Sequence, residues 1–136
     1  MEIEAAPLSP EEFAQFRANC GWGEIAPDVA ALALRGSLAV LTLREDGELR
    51  GFVRLVGDGA LNIYIQDLIV RESDRGLGHG RTLMQAALDW IDAHAPHADV
   101  GLMAAEGLEH YYFDIGFAAR PADGFGAGMM RYAKGT

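Results

Sequence analysis

The chain has 136 residues, one cysteine and a formal net charge of −9, from 20 acidic and 11 basic residues. That length predicts a single domain over 1–136 with room for a two-layer core, and the acidic balance argues against a nucleic-acid partner, whose phosphates it would repel. Cys20 alone excludes an internal disulfide framework. No apolar run reaches the ~18 residues that span a bilayer, and the acidic opening Met1-Glu2-Ile3-Glu4 lacks the order of a signal peptide, so a cytoplasmic protein without membrane contact is expected.

Residues 1–4 read as a short first strand. Ser9-Pro10-Glu11-Glu12 gives an N-cap, a proline at the first helical position and two acids in the first turn. The helix it opens runs to about Asn19, where Gly21-Trp22-Gly23 stops it. A second helix covers about 28–34 and ends near Gly36. Strands over 38–43 and 49–56 flank Asp46-Gly47, a hairpin signal, and Gly57-Asp58-Gly59 turns the chain into a strand over 61–70. In that strand Leu61, Ile63 and Ile65 share a parity that Leu68 and Val70 reverse. A one-residue slip near Gln66-Asp67, a β-bulge, would explain the reversal; so would burial on both faces.

Leu83, Met84, Ala87, Leu88 and Ile91 then recur at helical spacing until Pro96. Residues 98–104 read as a compact strand, and Leu108, Tyr111, Tyr112 and Ile115 mark a helix that Gly116 ends. Strands over 117–120 and 128–133, around Pro121-Ala122-Asp123-Gly124, are expected to close the chain as a hairpin. The order predicts an α/β fold with a mixed, mostly antiparallel sheet flanked by helices.

Between the third long strand and its following helix lies Arg75-Gly76-Leu77-Gly78-His79-Gly80-Arg81. Glycines without Cβ atoms at a helix start let consecutive amides converge on an anion, and the helix macrodipole favours negative charge there. A P-loop is excluded because the residue five before Gly80 is Arg75, and a dinucleotide fingerprint fails because Arg81 stands where its third glycine should be.

What does fit, Arg75-Gly76-x-Gly78-x-Gly80, resembles the Arg/Gln-x-x-Gly-x-Gly/Ala acetyl-CoA motif of the GCN5-related N-acetyltransferases. Tyr111-Tyr112-Phe113-Asp114-Ile115-Gly116-Phe117 is similar to the Phe-Tyr-x-x-Leu-Gly-Phe segment of the same family, with Tyr112 in the tyrosine position. The resemblance implies an acyl-CoA N-acyltransferase fold, a bulge in the strand before the loop, acetyl-CoA as co-substrate, and direct attack of an amine on the thioester. By the same analogy the pantetheine arm pairs with the strand at Leu68, Ile69 and Val70, the Leu68 amide donates to the thioester carbonyl, and the loop from Arg75 through Gly76, Leu77, Gly78, His79, Gly80 and Arg81 wraps the pyrophosphate. Tyr112, a phenol with an ordinary pKa near 10, is the candidate acid for the departing thiolate.

The general base is less sharply marked. Asp67 at the expected bulge and Glu24 in the loop between the first two helices are both candidates, and Trp22 and Glu24 are expected to line the acceptor pocket. His94 and His97 are interrupted by Pro96, so no metal site is expected. His79 could add to phosphate binding and His110 could reach the active site. A small-molecule amine suits the acidic chain best. A monomer or homodimer is expected. The competing readings are a catalytically silent CoA-binding module and an unrelated flavin or nucleotide binder.

Overall fold

The computed structural model describes residues 2–6 and 8–134. They group into two compact units, Met1–Leu102 and Met103–Thr136. The first unit is built on a five-stranded sheet whose spatial order follows the chain, β1 (Glu2–Glu4), β2 (Ala39–Glu45), β3 (Glu48–Gly57), β4 (Asn62–Val70) and β5 (Asp99–Leu102). The first four strands are antiparallel to their neighbours, and β5 lies parallel to β4. Asp46 and Gly47, at φ 54° and 78°, form the tight turn between β2 and β3.

Helices cover both faces of this sheet. On one lie α1 (Pro10–Asn19) and α2 (Pro27–Arg35); Phe13 and Phe16 of α1 and Ala30 of α2 form a cluster with Phe52 of β3 and Ile69 of β4. Both phenylalanine rings sit 5.5 Å from that of Phe52 in tilted or edge-on contact, a geometry the ring quadrupoles favour. The Ser9 hydroxyl caps α1 by accepting from the Glu12 amide. Against the opposite face packs α3 (His79–His94), burying Leu83, Met84, Ala87 and Ile91. Gly51 makes that approach possible, since a Cβ there would stand 2.8 Å from the Ile69 carbonyl and 3.0 Å from Leu83.

The bulge is present. Leu55 pairs with Ile65 and Arg54 with Asp67, leaving Gln66 as the extra residue. Cross-strand partners share a face, so Ile65 joins Leu55 on the α3 side, and Leu68 and Val70 join Val53 and Gly51 there. Asp67 and Ile69 are buried on the α1 side. Beyond the bulge both faces of β4 are therefore covered, so the two explanations of the parity reversal hold together.

The second unit differs from expectation. It contains one helix, α4 (Glu109–Asp114), and the closing hairpin over 117–120 and 128–133 does not form; among the described residues only an isolated bridge joins Ala122 to Phe125. Glycines at 124, 126 and 128 raise the entropy of ordering this stretch, and Phe125, Met129 and Tyr132 stay exposed, so no burial offsets that entropy. The expected strand over 98–104 is likewise cut to Asp99–Leu102.

Candidate functional site

The end of β4 is an unusual edge. Its pairing with β5 covers only Asn62 to Ile65, so from Gln66 onward that side has no strand partner among the described residues. The Arg71 amide donates to the Arg50 carbonyl at 2.8 Å, which fixes the alternation of the antiparallel ladder. Phe52–Ile69 and Arg54–Asp67 are then the pairs that exchange hydrogen bonds, while the amides of Leu68 and Val70 point outward, away from β3. The Ile69 amide faces β3.

This edge runs into the glycine loop through a single 3-10 turn, Glu72–Asp74. Asp74 is buried and holds the turn in place, accepting from Arg50 Nη1 at 3.3 Å and from Arg71 Nε at 3.0 Å. Gly76 and Gly78 follow at φ 83° and 87°, each with no heavy atom within 4 Å of where a Cβ would stand. The ladder of α3 opens with the Thr82 amide on the Gly78 carbonyl at 3.1 Å, so the loop leads directly into a helix start. Arg75 and Leu77 are exposed beside the loop, and Arg81 lies on the exposed face of the first turn. His79 is buried, its Nδ1 without a partner among the described residues, so its imidazole lies inside the fold and only its backbone belongs to the loop.

Cys20 reaches the same corner, its Sγ 3.7 Å from the Val70 carbonyl, which Arg75 Nε also approaches at 3.4 Å. Burial pushes the thiol above its ordinary pKa, opposed by the nearby Arg75 guanidinium.

The environment of Asp67 was hidden in the sequence. The side chain is 2% exposed and accepts from Arg54 Nε at 2.7 Å and from Arg17 Nη1 at 3.2 Å. Each Asp67 oxygen is held by a guanidinium and the residue is buried, an arrangement that argues against the base role expected of it. Arg17 in turn lies against Phe13 and Trp22, 5.5 and 5.2 Å from the ring centroids. Trp22 is 41% exposed, and Glu24 stands exposed two residues on. The bulge and the loop after α1 are thus connected through one arginine.

Tyr112, in the second unit, is buried against Phe117 and Tyr111, both edge-on, with centroids 5.8 and 5.1 Å away. Burial first, and Tyr111 second, raise its pKa above the ordinary tyrosine value, so it stays protonated at neutral pH. His110 is exposed and packs on Phe113, and His94 stacks on Trp90.

A family profile described as "Acetyltransferase (GNAT) domain" matches residues 4–131, nearly the whole chain and across both units. The chain belongs to the GNAT acetyltransferases. Solved structures agree on the fold of this GNAT enzyme. A probable acetyltransferase from meticillin-resistant Staphylococcus aureus is 24% identical with a TM-score of 0.81, over 96% of this chain and 98% of that one. A GNAT-family protein from Streptococcus pneumoniae TIGR4 is 25% identical with a TM-score of 0.74, over 98% and 96%. A ribosomal-protein-alanine N-acetyltransferase from Brucella melitensis biovar Abortus 2308 is 22% identical with a TM-score of 0.72, over 97% and 100%. A comparison with curated proteins finds no match. The GNAT enzyme is an N-acetyltransferase by family, a family that uses acyl-CoA donors.

The sequence pointed to the bulge and to the glycine-rich helix start, but not to Arg17, Arg54, Arg50 and Asp74. Arg54 and Asp67 are charged residues flanked by apolar ones within their strands, and that pairing was the available signal.

Proposed function

We propose that this enzyme transfers an acetyl group from acetyl-CoA to the primary amine of a small molecule by direct attack, and that its two units act as one domain. The observation that carries the proposal is the outward-facing pair of amides on Leu68 and Val70 leading into two positive-φ glycines at a helix start. The residues fit the co-substrate: an extended amide-bearing arm can add to the open edge as a further strand, and a pyrophosphate can sit on the loop amides from Gly76 to Arg81, where a Cβ built on Gly76 or Gly78 meets no heavy atom within 4 Å. Acetyl-CoA supplies an activated acyl group on a thiolate leaving group.

The protein's own groups supply the rest. The Leu68 amide donates a hydrogen bond to the carbonyl oxygen as negative charge grows on it. Glu24, exposed in the loop that carries Trp22, is the remaining candidate to draw the ammonium proton from the acceptor, directly or through water. Tyr112, whose pKa burial raises further above the ordinary tyrosine value, supplies the proton or hydrogen bond to the departing sulfur. The test is thiol release from acetyl-CoA, and from longer acyl-CoA thioesters, against a panel of amines, amino acids and N-terminal peptides. Thiol release with a small amine and a mass gain of one acetyl group on it is the expected result. Stabilisation by CoA with no transfer to any acceptor would favour the silent binding module, and neither effect would refute the proposal.

A further inference from the structure

From the ion triad at the bulge we infer that Asp67 is a positioning residue, a charge lock that selects the register of β4 and so decides which backbone amides face the co-substrate edge. Asp67 stands directly across from Arg54, on the same face, and both its oxygens are held, by Arg54 at 2.7 Å and by Arg17 of α1 at 3.2 Å. Arg54 is anchored further by donating to Ser37 Oγ at 3.2 Å, and that hydroxyl donates to the Ala33 carbonyl at 2.8 Å. The triad thus ties β4 to β3, α1 and the end of α2.

The alternative register shows what the lock prevents. Without the extra residue Gln66, the pairing of Leu55 with Ile65 would continue as Arg54 with Gln66 and Val53 with Asp67. Asp67 would then enter the α3 face beside Val53 and Leu83, both fully buried and apolar, as an ionised group without a partner, and Arg54 would lose its carboxylate. Since the side-chain period of a strand is two, a one-residue slip also exchanges the edges: the amides of Leu68 and Val70 would turn toward β3, and that of Ile69 would turn outward. The apolar side chains resist such a slip weakly, because Leu68, Ile69 and Val70 are interchangeable in character and both faces are covered. The charge is what distinguishes the two registers. Arg17, stacked on Trp22, extends the lock to the loop that carries Glu24.

The catalytic half of this inference rests on the proposed acyl-CoA reading, whereas the register half does not, and the experiment separates them. Amide hydrogen exchange of the ligand-free protein should show Ile69 protected and Leu68 and Val70 exchanging fast. In Asp67→Asn this alternation should flatten or invert. If that variant does not fold, the triple variant Arg17→Leu, Arg54→Met, Asp67→Leu replaces the whole triad by apolar side chains, a change that buried ion groups commonly tolerate. It should fold with the alternation lost and with CoA affinity reduced roughly tenfold, the factor that about two strand hydrogen bonds represent. In turnover assays Asp67→Asn and Arg17→Gln should both lower kcat without changing the shape of the pH–rate profile. Wild-type alternation retained in the folded triple variant overturns the register lock. Loss of the acid limb in Asp67→Asn alone, with Arg17→Gln silent, overturns it in favour of Asp67 as a base. If wild type acetylates nothing, the proposed function fails, and the exchange pattern still decides the lock.

Discussion

Gly78→Leu separates the role of the glycine loop in folding from its role in binding. At φ 87°, with nothing within 4 Å of a built Cβ, the substitution meets no clash and adds only left-handed backbone strain, about 1–2 kcal/mol. For a chain of 136 residues, an unfolding entropy of about 2.1 cal/mol/K per residue makes each 1 kcal/mol worth about 3.5 °C, so the variant should melt about 4–7 °C below wild type. Acetyl-CoA at 100 times its dissociation constant should stabilise wild type by about 2.7 kcal/mol, or about 9 °C, and should leave Gly78→Leu unmoved because the new side chain fills the space above the amides. Gly47→Leu is the matched control: φ is 78°, a built Cβ again has no neighbour within 4 Å, and the turn lies outside the glycine loop. It should lose the same few degrees and keep the full ligand shift. Differential scanning fluorimetry with and without acetyl-CoA reads both effects. A ligand shift surviving in Gly78→Leu, or disappearing equally in Gly47→Leu, would refute the assignment of the loop.

Tyr112→Phe keeps the edge-on packing on Phe117 and deletes the hydroxyl, so kcat should fall about 100-fold while acetyl-CoA binding by calorimetry stays near wild type; unchanged turnover would reduce the residue to packing. Trp22→Ala and Glu24→Gln should raise the acceptor KM more than the acetyl-CoA KM, and an effect confined to acetyl-CoA would remove the loop from the acceptor pocket. Asp58 Oδ1 accepts from the amides of Ala60, Leu61 and Asn62 at 2.8–3.0 Å, and these bonds hold its carboxyl below the ordinary range. Because the folded pKa is depressed, the stability it contributes is present above the unfolded value near 3.9 and is lost as pH falls through the lower folded value. Melting curves across that acid range should therefore fall less steeply in Asp58→Ala than in wild type, and parallel curves would count against the turn.

The features legible in the sequence were those with a local cause. A cap at Ser9, a turn at Asp46-Gly47 and a glycine-rich helix start each depend on a few adjacent residues, and each lies where expected. The bulge was legible because side-chain parity leaves a trace along one strand. The Asp67 triad was not, since two of its members come from other elements and the Arg17 contact spans 50 positions. The missing hairpin failed for a different reason: apolar character forms a strand only where something covers it, and Phe125, Met129 and Tyr132 remain exposed.

The meander order of the sheet has a consequence for how the chain folds. From β1 to β4 each strand pairs with a spatial neighbour, and β2, β3 and β4 are joined by turns of a few residues, so this part can zip up through short loop closures. The helix α1 precedes these strands in the chain yet has no surface to rest on until Phe52 and Ile69 have paired. Its docking then belongs after the folding barrier. Phe16→Leu should accelerate unfolding with little change in the folding rate, whereas Leu55→Ala in the central strand should slow folding itself. Stopped-flow chevrons with the opposite partition would place the helix in the nucleus instead.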